Sequence, residues 1–378
     1  MKSPLLLVVV ASALAIICTN EMSGKTIRAK PSEPVTPLAA QLKAGDTLIL
    51  SPGIYREQIT LSGLHGMHDR PIRIVGEAGA IIEPRGRDGI LFFGDTASAY
   101  VIVEGLTIRK AKRAGIIVNG SHNITIRNCN IGNNGQWGVQ TIMSIAVTVE
   151  DCTLFGSEKE HGVYFSTTDR PVVRRCRIYD NAACGVHFNG DKSEGGDGLI
   201  SEGVVQQNVI YNNGRIGGAG INMDSAEKML VTDNVLYGNL SGGITAFTQD
   251  GLKSGDGNRI INNVVYFAPG KGRFGVQVIG SVKRATVIKN VLVCGKGPAL
   301  HVDGDTMAGL TADRNLYYVH GKDKPIMVDE GRVTLPAWQR RSGVDTASLS
   351  ADPLFVDPDN NDLELREDSP VRVLRGDP

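Results

Sequence analysis

Carboxylates crowd three stretches of this chain. Asp191, Glu194 and Asp197 lie in NGDKSEGGDGLISEG (189–203), Asp224 lies in AGINMDS (219–225), and Asp250 and Asp256 lie in TQDGLKSGDGN (248–258). Carboxylate oxygens on turns are what a hard cation such as Ca2+ takes as ligands. Asp191 and Asp224 form the best pair, with Asp250 as a third ligand. Their spacing is not that of an EF-hand, and acidic residues are also ordinary turn formers in glycine-rich loops. Four basic groups nearby could move a proton: His187, Lys253, Lys271 and Arg273. An imidazole titrates at about 6.5 when unperturbed, which suits His187 for transfer near neutrality. An outward lysine is most often plain surface.

These residues need a scaffold that brings them together, and the chain carries one as a repeat. RNCNI (127–131), EDCTL (150–154), RRCRI (174–178), QQNVI (206–210), TDNVL (232–236), NNVVY (262–266), KNVLV (289–293) and RNLYY (314–318) align on Cys129, Cys152, Cys176, Asn208, Asn234, Asn263, Asn290 and Asn315. Neighbouring anchors lie between 23 residues (Cys129 to Cys152) and 32 residues (Cys176 to Asn208) apart. EGLTI (104–108) supplies an earlier coil, anchored at Gly105.

A second motif runs in phase, from DGILFFG (88–94) through HGVYFST (161–167) and CGVHFNG (184–190) to PALHVDG (298–304). Its apolar residues alternate as in a half-buried strand. Each period holds about three short strands and no amphipathic helix. Such a coil buries its interior only by stacking on the next one, at about 4.8 Å. Asparagine at the recurrent bend can pair backbone groups along the stack, and the three cysteines extend that column as small apolar residues.

The fold expected is therefore all-β: a single-stranded right-handed parallel β-helix of about ten coils over 35–330, with capping segments at both ends. VTPLAAQL (35–42) is expected to cover the first coil as a short helix, and LPAWQRRSG (335–343) to cap the other end. Within the C-terminal capping segment (331–378), SADPLFVDPDNNDLELREDSP (350–370) reads as turns plus two short strands closing the last coil.

In this register the outward residues of the second strand form two columns. One is Gln140, Tyr164, His187, Asn222, Thr245, Gln277 and His301. The other is Ser166, Asn189, Asp224, Phe247, Ile279 and Asp303. Polar groups with histidines and an aromatic suit sugar hydroxyls and a stacked ring. Tyr164, Asn189, Asn222, Gln277 and His301 are the candidate substrate-binding residues, and His161 shapes the strand entry. A solvated sheet face would also be polar. The three long insertions, at 189–203, 248–258 and 267–275, flank this strand, and solenoid insertions cluster on binding faces.

The formal net charge is 0, so no global field draws in nucleic acid, and there is neither a basic helix nor an aromatic-basic sheet. Lys2 followed by LLLVVVASALAII (5–17) reads as a secretory signal over 1–20, with a loose leader over 21–34. An extracellular or periplasmic monomer is expected, without a membrane span. Cys18 leaves open a lipid anchor to the cell envelope. The remaining cysteines form no CxxC pair, so redox and thiolate-metal readings are poor.

AGDTLILSPGIYREQITLSG (44–63) followed by RPIRIVGEAGAIIEP (70–84) resembles the start of the alginate lyase and chondroitinase B family. ADPLFVDPDNNDLEL (351–365) is similar to endings common in pectate-lyase-like β-helix proteins. The resemblance implies a polysaccharide partner and calcium-assisted β-elimination on a uronate polymer. Calcium would hold the uronate carboxylate while a lysine or arginine removes the adjacent proton. The family's calcium and base motif finds no match at numbered positions here. A glycoside hydrolase using two carboxylates, for example Asp224 with Asp191 or Asp250, stays open, as does a non-catalytic carbohydrate-binding or cell-surface protein.

Overall fold

The computed structural model describes residues 24–375. The proposed signal and Cys18 lie outside the described residues. Three sheets of twelve strands each run the length of the molecule, parallel throughout except for the last strand of the third (Gly331–Val333), which turns back antiparallel on Ile326–Val328. Sheet A begins at Thr26–Ala29, sheet B at Gly53–Tyr55 and sheet C at Ile59–Leu61. This is a parallel β-helix of about eleven turns, close to the number the repeat implied. Inward positions carry Ile, Val, Leu and Phe in continuous files, such as Val163, Val186, Ile221, Ile244, Val276 and Leu300, all at 0% exposure.

The bend from sheet A to sheet B holds these coils in register. The residue before each anchor takes the left-handed conformation: Asn128, Asp151, Arg175, Gln207, Asp233, Asn262, Lys289 and Arg314 have φ between 51° and 59°. The anchor side chain then points inward. Asn208, Asn234, Asn263, Asn290 and Asn315 are fully or almost fully buried. Each Nδ2 donates to the next asparagine's Oδ1, at 2.9 Å for Asn208 to Asn234 and for Asn234 to Asn263. It also donates to a carbonyl of the preceding coil, as from Asn208 to Val173 at 3.0 Å. Cys129, Cys152 and Cys176 continue this column as free buried thiols.

Gly105, expected as an anchor, instead occupies the left-handed position at φ 72°, and Leu106 takes the inward place. The alignment there is one residue out, because Thr107 pairs with Asn130. A second asparagine ladder, not anticipated from sequence, runs along the bend from sheet B to sheet C. Asn181 Nδ2 donates to Asn213 Oδ1 at 2.8 Å, and Asn213 to Asn239 at 3.1 Å.

The ends are closed largely as expected. A helix at Val35–Ala39 covers the first coil. Thr26–Ala29 is a strand paired with Thr47–Leu50, so the segment expected as a loose leader supplies the first strand of sheet A. At the far end, Leu335–Ser342 forms a helix whose Trp338 is fully buried. Asp345 finishes the first ladder there, accepting from Asn315 Nδ2 at 3.1 Å, from the Tyr317 hydroxyl at 3.0 Å and from Trp338 Nε1 at 2.7 Å. The final hairpin (Phe355–Asp357 with Asp362–Leu365) does not close the last coil as expected. Phe355 and Val371 instead pack beside Tyr266, Val291, Val293 and Leu316 on the outside of sheet B.

The two Nδ2 hydrogens of Asn263 are shared among three acceptors within reach, and its Oδ1 accepts two bonds. Asn263→Ala strands buried donors and acceptors on both neighbouring coils. It is expected to cost about 3 kcal/mol of unfolding free energy, read by urea or thermal unfolding. A loss below about 0.5 kcal/mol would show that the ladder is ornamental.

Candidate functional site

The register forms the outward column as the sequence implied. Tyr164 pairs with His187, His187 with Asn222, Asn222 with Thr245, Thr245 with Gln277, and Gln277 with His301. His187, Asn222, Thr245 and Gln277 line a cleft of about 500 Å3 on the outer face of sheet C. Asp224, Asp250 and Arg273 line it too, and Ile216 and Phe247 give it apolar surface. The lower column is already ordered: the Thr245 hydroxyl donates to Gln277 Oε1 at 3.2 Å, and Gln277 Nε2 meets His301 Nδ1 at 2.8 Å. His301 Nε2 in turn meets the Asp329 carbonyl at 3.1 Å.

The second column differs from expectation. Ser166, Asn189 and Asp224 are 0, 4 and 1% exposed. The long loops fold over this column and cover it rather than standing beside it. Asn189 Nδ2 donates to the Tyr164 hydroxyl at 3.2 Å and to Asp250 Oδ2 at 3.3 Å. Tyr164 also stacks on Trp137, with ring centroids 6.0 Å apart. Tyr164 and Asn189 thus sit on the coils next to the cleft and brace its wall.

His187 does not hold the position expected of a base. The backbone N–H of Cys184 donates to Nδ1 of His161 at 3.0 Å, so a neutral His161 carries its proton on Nε2. That Nε2 lies 3.0 Å from His187 Nδ1 and must donate to it. His187 is thereby set with its proton on Nε2, which is buried and has no protein partner. Burial pushes its pKa down to about 4, and burial with the neighbouring His187 pushes His161 well below the usual imidazole range. His187 therefore offers a donor, not a lone pair. Two further polar atoms on these coils, Gln140 Oε1 and Asn189 Oδ1, are likewise buried without a protein partner.

His161, Cys184 and His187 have ligand atoms within 4.8 Å of one another, a donor set of the kind a transition metal takes. The chemistry does not fit. Nδ1 of His161 accepts from the Cys184 amide, so Nε2 carries the proton and offers a cation no lone pair.

Calcium does not fit the three expected carboxylates either. Asp224 Oδ1 accepts from the Gln249 amide at 2.7 Å and from the Ser225 hydroxyl at 3.2 Å, while Oδ2 accepts from the Asp250 amide at 3.1 Å. These donors present protons where a cation would sit. Asp224 is the peg on which the 248–258 loop hangs, and burial with the nearby Asp250 charge raises its pKa. Asp191 is taken up by Ser193, whose amide and hydroxyl both donate to its Oδ1, and does not line the cleft with Asp224.

Lys253 pairs with Asp197 at 3.6 Å on an exposed loop outside the cleft lining. Of the four expected basic groups, His187 and Arg273 line the cleft, and Lys271 lines an adjoining pocket. Ile216 and Phe274 were missed as cleft residues. Ile216 is 61% exposed, and an isolated apolar residue in the glycine-rich NNGRIGGAG was the available signal.

Residues 79–196 match the family described as right handed beta helix region. YwoF of Bacillus subtilis strain 168 is 27% identical over 183 residues, which is 45% of this chain and 38% of that protein's length. Among solved structures, pectate lyase Pel9A is similar at 15% identity and TM-score 0.53, over 93% of this chain and 89% of its own. The A-module of a mannuronan C-5 epimerase from Azotobacter vinelandii is similar at 14% identity and TM-score 0.56, over 84% and 92%. A mannuronic-acid-specific family 6 lyase from human gut microbiota is similar at 13% and 0.54, over 80% and 83%. The common ground is the fold: the chain is a right-handed parallel β-helix. Among the described residues no helix is long and apolar enough to cross a membrane.

The linked histidines carry a pH prediction. Both are harder to protonate in the folded chain than at the ordinary value of 6.5. Stability is therefore full above that value and is lost as pH falls towards about 4. The thermal midpoint should fall across this window, and His187→Gln should flatten the slope. Identical slopes in the wild type and the variant would mean that His187 is not a neutral buried group.

Proposed function

We propose that the sheet C cleft takes an extended uronate-containing polysaccharide outside the cell and cleaves it by β-elimination. The reading rests on one observation: Arg273, which pairs with no carboxylate among the described residues, lines the same cleft as the side-chain amides of Asn222 and Gln277. The fold supports it, because stacked coils form a straight outer face on which repeating sugars can lie. The names of the similar structures include two polysaccharide lyases and an epimerase of a uronate polymer.

Each group has a defined task. The guanidinium of Arg273 meets the uronate carboxylate as a charge-assisted pair. Offsetting that charge makes the neighbouring C–H more acidic and stabilises the enediolate. The proton passes to the carboxylate of Asp250, which lines the same cleft, the C=C bond forms as the bond to the 4-linked oxygen breaks, and that oxygen leaves with a proton from water. The Asn222 amide donates to sugar oxygens, and Ile216 and Phe247 cover C–H faces. Asp191 and Asp224, first expected to hold calcium with Asp250, accept from loop amides instead.

Asp224 favours a second reading. A carboxyl whose pKa is raised by burial beside the charged Asp250 is suited to proton donation, as hydrolysis requires.

Incubation of the purified protein with polyuronates, with and without a chelator, separates these readings. The expected products carry unsaturated ends and form equally in both conditions. Arg273→Gln should lower kcat/KM by about 100-fold. New reducing ends without unsaturation would replace elimination with hydrolysis. Retention on immobilised polymer with unchanged polymer length would leave a binding protein.

A further inference from the structure

Several arginines of this solenoid pair with carboxylates on neighbouring coils. Arg73 and Arg127 pair with Glu104, Arg56 and Arg109 with Glu83, Arg113 with Asp88, Arg174 with Glu150, Arg175 with Asp151, and Arg284 with Asp256. The pattern follows from stacking, since like charges on adjacent coils stand about 4.8 Å apart and need an opposite charge between them.

Beyond the cleft, Lys271, Arg273, Lys296 and Arg332 line a pocket of about 440 Å3 together with Leu240, Met327 and backbone of the glycine-rich turns. No carboxylate is among its lining residues. The charges are held there by the chain itself. Arg332 Nη2 donates to the Lys296 carbonyl at 2.9 Å, and Lys322 Nζ donates to the same carbonyl at 2.8 Å. Arg332 Nη1 reaches the Lys324 carbonyl at 3.3 Å. These bonds to neutral carbonyls place cations without neutralising them. Asp323 and Glu330 lie close in sequence but do not line the pocket.

Arg273 lines both spaces, so the pocket continues the cleft. Four cations brought together without a counterion repel one another, and an anion placed among them relieves that repulsion. Leu240, 59% exposed at the pocket wall, suits the C–H face of a sugar ring.

We propose that this pocket is an anion subsite for a second acidic unit of the same glycan, recognising a carboxylate or sulfate on a sugar beyond the one held at Arg273. This rests on the reading of the cleft as a polysaccharide site and adds to it that the substrate is a polyanion, with charge on more than one residue. A polymer with isolated acidic units among neutral sugars would fill only the cleft.

The test is binding by calorimetry of oligouronates and of the same oligomers after carboxyl reduction, to wild type and to the Lys296→Gln, Arg332→Gln double variant. The two substituted residues lie outside the cleft lining, and circular dichroism checks that the variant folds. The expected result is an affinity for oligouronate at least about tenfold weaker in the variant, a shallower salt dependence, and unchanged affinity for the reduced oligomer. Equal affinity of wild type and variant for oligouronate would overturn the subsite while leaving the cleft reading intact. Wild-type binding of reduced and acidic oligomers with the same affinity would overturn the subsite and the carboxylate role of Arg273 together. If the wild type bound neither oligomer, the cleft reading itself would fail, and the subsite with it.

Discussion

The buried amide ladder at the bend between sheets A and B is the constraint on which the rest depends. A parallel β-helix has to turn its chain in the same way on every coil, and each turn brings polar backbone groups to the edge of an apolar core. Asparagine solves this with one side chain, because its amide both donates and accepts along the stack. Where cysteine takes the place, in the coils of Cys129, Cys152 and Cys176, the thiols fill the space and make weaker contacts to carbonyls, as from Cys152 to Glu150 at 3.1 Å. The ladder ends on Asp345, where three side-chain donors from the last coil and the capping helix converge. A one-residue slip at this bend would invert every strand that follows, so the ladder sets which side chains reach the outer face of sheet C.

The cleft follows from that register together with the long loops. Sheet C by itself presents an open stripe. The insertions at 189–203 and 248–258 fold back over one of its two columns, pegged by Asp224 to the amides of Gln249 and Asp250. The cleft that remains is lined by the file from His187 to Gln277, by Asp224, Phe247 and Ile279 of the other column, and by Arg273 from the third insertion. Asp191 and Asp224 serve loop structure, while the groups left for a ligand are mostly donors. Such a surface suits oxygen-rich, acidic partners, and a stacked-sheet scaffold holds it with little reorganisation on binding.

The histidine pair shows how a backbone group can decide the chemistry of a side chain two contacts away. His187 looks like a base by type and position. The Cys184 amide fixes the tautomer of His161, which fixes that of His187, and burial keeps both neutral. The same relay removes the His–Cys–His cluster from consideration as a metal centre.

The fold was legible in the sequence because a repeat leaves its period, its buried alternation and its inward asparagines in the linear order of residues. The outward columns followed directly, since a strand of period two in a stack of known phase has only one register; the pairs from Tyr164 to His301 are those the alignment implied. What sequence could not hold was anything set by contacts between coils. Gly105 and Asn128 share a conformation but not a residue type, so the alignment slipped there. The ladder of Asn181, Asn213 and Asn239 is spread through irregular loops. The roles of Asp191, Asp224, Lys253 and His187 depended on which donor each side chain meets, and the charge of the pocket around Lys296 and Arg332 depended on which carboxylates fail to reach it. Local pattern determines the coil, whereas protonation, pairing and pocket shape are properties of neighbours brought together only when the coils stack.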